Sequence, residues 1–409
     1  MMRNIFKKPI TIVFLVLVVC SIALAFMAYR FTAEPAHPPV QVTPTPTPTA
    51  ILPFPSATPK TNILPPVENN PAKVLGIEGS RGVNFQVPWV RVPYATCGTQ
   101  VNKGTYLQKL VEDYHKQKVR VLLTVCQTSN DDKKLYDTRL LGDAARSLPD
   151  AVQCGNEQMK NDPSVAFLHL EPAKFARFYD LCERTMHSFR KGIPTLLGSL
   201  DPQVARFDVQ NLYGQVAYLD EVQAEMQKLH PKSNWQWRQQ AVGLIDSWHN
   251  GWSNGQYNPD ENNLRDQFAF WAQQFGVDIN SGKLGQHLWV VEGTACFKGC
   301  GVNENDPSEI AKAHIFGLIV DVQTAMQYKV PFFYFSGRDF FDQGIIWPIG
   351  VADPQGKAKP LRQDLAPGSM TLELTCGGKK TPVRDQIQLL SQLYKGCSLP
   401  GNYVNILVS

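Results

Sequence analysis

The sequence predicts an α/β fold, a (β/α)8 TIM barrel, and three observations predict it. Eight short runs rich in Val, Ile and Leu recur between residues 73 and 337. Amphipathic stretches of helical period separate most of them, as expected for a parallel sheet built from βα units. No glycine-rich phosphate loop follows the first run, which counts against the runner-up, a doubly wound open sheet.

The runs are KVLGIEG (73–79), PWVRVPY (88–94), KVRVLLTVC (118–126), AVQCGNE (151–157), IPTLLGSL (193–200), AVGLIDSW (241–248), LWVVEG (288–293) and VPFFYFSG (330–337). YLQKLVEDYHKQ, FARFYDLCERTMHSFRKG and SEIAKAHIFGLIVDVQTAMQYK are the clearest intervening helices. Only eight residues separate the first run from the second. A parallel crossover needs about a dozen or more, so the first helix is expected to be missing or reduced to a turn.

Four regions follow. Residues 1–30 hold an apolar run, ITIVFLVLVVCSIALAFMA (10–28), preceded by Arg3, Lys7 and Lys8. Its length suits a transmembrane helix, and the preceding basic residues place the N-terminus in the cytoplasm. The expectation is a single-pass cell-membrane anchor with everything beyond it outside; the alternative is a signal peptide cleaved near Ala23-Leu24-Ala25, giving a secreted protein. Residues 31–72 are rich in Pro, Thr and Ala, with TPTPTPT at 43–49. Such a stretch is expected to be disordered and extended, and about forty residues at about 3 Å each span on the order of 100 Å. Residues 73–366 form the predicted barrel, and 367–409 a C-terminal extension expected to pack on it, with a helical piece near 385–395.

Composition narrows the function. With 43% hydrophobic residues the chain can bury a large core, and a formal charge of +4 over 409 residues is close to neutral. No basic run is interleaved with aromatics, so nucleic acid is not an expected partner. Eight of the nine cysteines lie beyond the apolar run, a usage that fits an oxidising compartment. Cys296 with Cys300, and Cys376 with Cys397, are each close enough in sequence to bridge. A zinc site at Cys296 and Cys300 would need a second ligand pair nearby, and none stands at that spacing. No metal or cofactor is expected. Gly-x-Ser-x-Gly and His-Glu-x-x-His are both absent, which argues against a serine esterase and a zinc peptidase.

In a barrel of this type the active site gathers at the C-terminal ends of the strands. The fourth run ends in Gly155-Asn156-Glu157 and the seventh in Glu292-Gly293-Thr294. Strands four and seven lie across the mouth from each other, so both carboxylates are expected in one cleft. Cleavage of a glycosidic bond needs such a pair, one as acid and one ionised. Trp248 and Trp252, just past the sixth run, are candidates to stack on sugar faces. Glu78, Asp201, Asp246 and Asp339 also stand near strand ends, where they are expected to bind hydroxyls or brace loops. Trp235, Trp237 and Trp271 are expected to serve packing.

Asn-Glu ending strand four and Glu ending strand seven resemble the signature of the clan A glycoside hydrolases. The resemblance implies a retaining mechanism with Glu157 as acid/base and Glu292 as nucleophile. It further implies that Asn156 contacts the sugar 2-hydroxyl, that Arg91 holds the nucleophile charged, and that His249 lies near the nucleophile. IIWPIGVADPQGKAKP (345–360) is similar to the clan's barrel ending, with its Gly-x-x-Lys-Pro turn. Two departures stand out: Gln158 replaces the usual proline after Asn-Glu, and FFYFSGRDF lacks the usual strand-eight tryptophan, leaving Tyr334 or Phe335 as the floor of the sugar subsite. The expected protein is therefore a monomeric glycosidase acting on a polysaccharide or oligosaccharide. The alternatives are a catalytically inactive carbohydrate-binding barrel and a cell-wall transglycosylase.

Overall fold

The computed structural model describes residues 75–78, 87–97, 102–127, 131–160, 169–200, 209–246, 252–253, 256–257, 264–293, 303, 305–342, 345–360, 373–382 and 397–398. Eight parallel strands close into a barrel. They are β1 (Leu75–Glu78), β2 (Trp89–Pro93), β3 (Arg120–Val125), β4 (Ala151–Cys154), β5 (Thr195–Leu200), β6 (Ala241–Asp246), β7 (Leu288–Gly293) and β8 (Phe332–Tyr334). Each lies inside one of the eight predicted runs. Closure is made by β1, which pairs in parallel with both β2 and β8.

Alternation along the strands sorts side chains to two faces. One face of the sheet fills the barrel with Trp89, Leu122, Ala151, Leu196, Ala241, Ile245, Trp289, Val291 and Phe333, all buried. The rings of Trp89, Trp289 and Phe333 pack within 5.1–6.1 Å of one another. β1 contributes Gly76 to this layer, because a Cβ there would stand 2.5 Å from the Phe333 ring. The opposite face carries the larger core, including Val90, Val121, Leu123, Val152, Leu197, Val242 and Val290.

The helices supply the apolar stripes that cover that outer face. α1 (Gly104–Lys116) buries Leu107, Val111 and Tyr114, spaced four and three residues apart as one helical face requires. α2 (Thr138–Arg146) is started by Asp137, whose side chain accepts from the Arg139 N–H. α3 (Pro172–Phe189) buries Phe175, Phe178, Tyr179, Cys182 and Met186. α4 (Val209–Leu229), α5 (Leu264–Phe275) and α6 (Pro307–Tyr328) complete the alternation between β5 and β8. The segment expected to lack a helix, between β1 and β2, lies mostly outside the described residues.

Two disulfides join the barrel to its loops: Cys97 to Cys126, between the turn after β2 and the end of β3, and Cys154 to Cys182, between β4 and α3. The expected Cys296 and Cys300 pair lies outside the described residues. Residues 373–376, 379–382 and 397–398 form a three-stranded antiparallel sheet in which Cys376 stands opposite Cys397, and Cys376 is disulfide-bonded. The helical piece expected near 385–395 lies outside the described residues, as do the apolar run 10–28 and the linker 31–72. Among the described residues no helix is long and apolar enough to cross a membrane.

Candidate active site

Above the aromatic plug the barrel interior turns polar. Glu78, Arg91, Thr124 and Gln153 each stand two residues beyond an interior position, Gly76, Trp89, Leu122 and Ala151 respectively, so alternation points them to the same side. Glu292 reaches that side by another route. Trp289 and Val291 face inward and Val290 outward, so strict alternation would send Glu292 to the helices. The register of β6 against β7 slips here: Leu244 pairs with Val290, but Ile245 pairs with Glu292. The extra residue, Val291, is a β-bulge, a device that re-aims the side chain beyond it.

Arg91 is the hub. Its side chain is 3% exposed and makes five hydrogen bonds. Nη1 donates to Glu292 Oε1 at 2.6 Å and to Glu78 Oε2 at 3.3 Å. Nη2 donates to Asn156 Oδ1 at 2.9 Å, and Nε to Thr124 Oγ1 at 2.9 Å and Gln153 Oε1 at 3.3 Å. A planar guanidinium with five donors can hold this many partners at once, whereas an ammonium cannot.

Asn156 connects the hub to Glu157. Its Oδ1 accepts from Arg91, from Gln153 Nε2 at 2.9 Å and from Ser199 Oγ at 3.1 Å, and its Nδ2 donates to Glu157 Oε1 at 3.3 Å. Gln127 fixes the Asn156 backbone from both sides, accepting its N–H at 2.9 Å and donating to its carbonyl at 2.6 Å. Gly155, at φ +100°, makes the turn out of β4; a Cβ there would stand 2.7 Å from the Phe175 ring. Glu157 itself has φ +49°, a left-handed conformation uncommon for a residue with a side chain. Ser199 Oγ accepts its N–H at 3.0 Å, and Lys160 Nζ donates to its Oε2 at 2.7 Å. Strain of this kind persists where surrounding contacts over-determine the backbone.

The electrostatics follow from crowding. Burial pushes Glu78 up to about 7, against the pull of Arg91 and with the Glu292 charge adding to the rise. Burial raises Glu292 as well, opposed by Arg91. Arg91 holds Glu292 at the shorter distance, 2.6 Å against 3.3 Å for Glu78.

Gln158, at the position of the departure from the clan pattern, is fully buried and accepts the Ser199 N–H at 3.2 Å, tying the Glu157 loop to β5. Gly198 makes room for it, since a Cβ there would lie within 2.6 Å of the Gln158 amide. Tyr334, expected as a subsite floor, is 2% exposed in the outer core and donates its hydroxyl to the Ile349 carbonyl. It therefore presents no polar atom to the barrel mouth. Phe335, the other candidate, is half-buried against Phe340. Asp339 is buried and paired with Lys359 Nζ at 2.8 Å, bracing the turn at Gly350. Trp252 lies in a two-strand hairpin with 256–257, but its side chain is outside the described residues, as are Trp248, His249 and Asp201. Glu78, expected from sequence to bind hydroxyls or brace a loop, joins the Arg91 hub, and Thr124, Gln127, Gln153, Lys160 and Ser199 enter the site with no role assigned from sequence. Polar residues at alternate positions of otherwise apolar strands were the available signal for Glu78, Thr124 and Gln153, whereas Ser199 is turned to the site by a register shift between Leu197 and Ser199.

Among the described residues no group of three His, Cys, Asp or Glu is placed to hold a metal ion. No family model and no curated protein matches the sequence. Similar solved structures include a glucosidase from Croceicoccus marinus, at 12% identity over 82% of this chain and 70% of that one, with a TM-score of 0.47. A family 39 glycoside hydrolase from Bacteroides cellulosilyticus is similar at 9% identity over 78% of this chain and 71% of that one, TM-score 0.47. A fungal β-1,4-galactanase is similar at 12% identity over 70% of this chain and 97% of that one, TM-score 0.44. At these values the likeness is one of chain trace, and the barrel itself stands on its own strand pairing.

Proposed function

We propose that this chain is a retaining glycoside hydrolase acting on a polysaccharide or oligosaccharide, with Glu292 as nucleophile and Glu157 as acid/base. The observation that carries the reading is the unbroken series of contacts Glu292–Arg91–Asn156–Glu157, which brings the ends of β7, β2 and β4 to one place. Two carboxylates in one mouth, held by an arginine and an amide, match the needs of glycosidic cleavage.

In the first step Glu292 attacks the anomeric carbon. The bond to the leaving oxygen breaks, and that oxygen takes the proton of Glu157. In the second step Glu157 removes a proton from water, whose oxygen displaces Glu292 from the sugar. The Lys160 ammonium, now bonded to Glu157, must move aside or deliver a proton before the first step. Arg91 keeps Glu292 ionised against the cost of burial, and the Asn156 Nδ2, already turned toward Glu157, stands where a sugar hydroxyl can meet it. Export to an oxidising compartment belongs to the same reading; the disulfides at Cys97–Cys126 and Cys154–Cys182 support it, as does the apolar run at 10–28.

Release of reducing ends over a panel of neutral polysaccharides tests the proposal. Wild type is expected to cleave at least one, and Glu292→Gln and Glu157→Gln to lose at least about a thousandfold in turnover, the scale seen when a group central to the transition state is removed. Cleavage by Glu292→Gln near the wild-type rate removes Glu292 from the role.

A further inference from the structure

Glu78 is a third carboxylate in the site, and the mechanism above leaves it unused. It ends β1, two residues past Gly76, on the interior side of the barrel, with 21% of its side chain open. The Nη1 of Arg91 has two hydrogens; one goes to Glu292 and the other to Glu78. Two carboxylates that share one nitrogen stand too close for both to remain ionised without cost, and one takes the proton.

The surrounding charges relieve the crowding at Glu292 more than at Glu78. Among the described residues the charged groups acting on Glu78 are Arg91 from β2, Glu292 from β7 and Glu157 from the loop after β4. Lys160, bonded to Glu157 at 2.7 Å, also pulls on Glu292 and lowers it, but it is not among the groups acting on Glu78. β8, the other neighbour of β1, offers only Phe332, Phe333 and the outward-facing Tyr334. One guanidinium therefore serves two carboxylates, and the bond lengths of 2.6 and 3.3 Å say which has the stronger hold.

We propose that Glu78 is a positioning residue that must carry a proton: neutral, it leaves Arg91 to Glu292, and ionised, it draws Arg91 away and weakens the nucleophile. This rests on the reading of Glu292 as nucleophile. The proton exchanges with solvent, and no other reactant is needed. Glu78 then sets an alkaline limit on activity that is separate from the titration of the acid/base.

The test is the pH profile of kcat/KM for wild type, Glu78→Gln and Glu78→Asp. With a group titrating at about 7, ionisation at pH 8 leaves about a tenth of the enzyme in the neutral form. The ratio of Glu78→Gln to wild-type activity is therefore expected to rise about tenfold between pH 5 and pH 8. Glu78→Asp, which keeps a titrating group, is expected to retain the alkaline loss. A ratio that stays flat across this range overturns the proposal. Carbon-13 NMR of glutamate carboxyls gives a readout that needs no hydrolysis: the resonance missing from Glu78→Gln should titrate near neutral pH. An active enzyme whose Glu78 titrates as an ordinary carboxylate sinks this proposal alone. A chain that cleaves no glycan but shows the neutral-pH titration sinks the hydrolase reading and supports the proton on Glu78.

Discussion

Replacing Arg91 with Met removes one cation and leaves two carboxylates facing each other in the barrel. Met keeps most of the side-chain volume, so the loss is electrostatic rather than a cavity. Arg91 donates five hydrogen bonds, two to carboxylates and three to neutral acceptors on Thr124, Gln153 and Asn156. Breaking a buried ion pair by deleting one partner costs about 3–5 kcal/mol. The cost should depend on pH, with a sign that follows from proton counting. Without Arg91 both glutamates are held further above their unfolded values, so the folded state binds more protons than the unfolded chain. Stability of the variant then falls as pH rises from the ordinary glutamate value through the raised folded value, and it falls more steeply than in wild type. Each pH unit in that window is worth about 1.4 kcal/mol per carboxylate. Urea unfolding followed by tryptophan fluorescence at pH 5 and pH 8 measures both quantities. The expected loss is about 3–5 kcal/mol at pH 8 and at least ~1.4 kcal/mol less at pH 5. A loss below ~1 kcal/mol at pH 8, or an equal loss at both values, refutes the account of Arg91 as the hub.

Two further outcomes follow from other buried charges. Lys359 and Asp339 are 5% and 0% exposed, and Lys359 also donates to the Pro348 carbonyl; burial raises Asp339 and lowers Lys359 in spite of the pairing. Lys359→Met should cost about 3–5 kcal/mol in urea unfolding at pH 7, since it strands Asp339 in the interior; a loss under ~1 kcal/mol would show the pair to be dispensable. Glu183, on α3, is pushed up to about 7 by burial, with the Asp180 charge adding to the rise. Because its folded value is raised, wild type loses stability from this group as pH climbs from about 4.5 to about 7. Glu183→Gln should gain on wild type by ~3 kcal/mol across that window, and a constant difference between the two proteins contradicts it.

The barrel was legible because its strands are buried on both faces, so each reads as a short apolar run with helical stretches between. The ends of β4 and β7 were legible for the same reason: a carboxylate closing an apolar run stands out, as Glu157 and Glu292 do. What connects them was not legible. Thr124, Gln127, Gln153 and Ser199 come from three different strands and one loop, and only the parallel pairing of β3, β4 and β5 gathers them near Asn156. The bulge at Val291 was hidden as well, because nothing in LWVVEG announces that one residue is unpaired, yet without it Glu292 would face the helices. Gln158 read as the loss of a proline, whereas its amide holds the Ser199 N–H and depends on Gly198 for space. Tyr334 read as a sugar-facing aromatic because a three-residue strand gives no clear parity; the structure turns it to the outer core.

The stereochemistry of the first product reports whether Glu292 forms a bond to the sugar. Proton NMR during hydrolysis of whichever glycan the enzyme cleaves records the anomeric configuration before mutarotation. Attack by Glu292 followed by water delivered through Glu157 inverts the anomeric carbon twice, so the product should keep the configuration of the substrate bond. A first product of opposite configuration means that water attacks directly, and it contradicts the assignment of Glu292 as nucleophile.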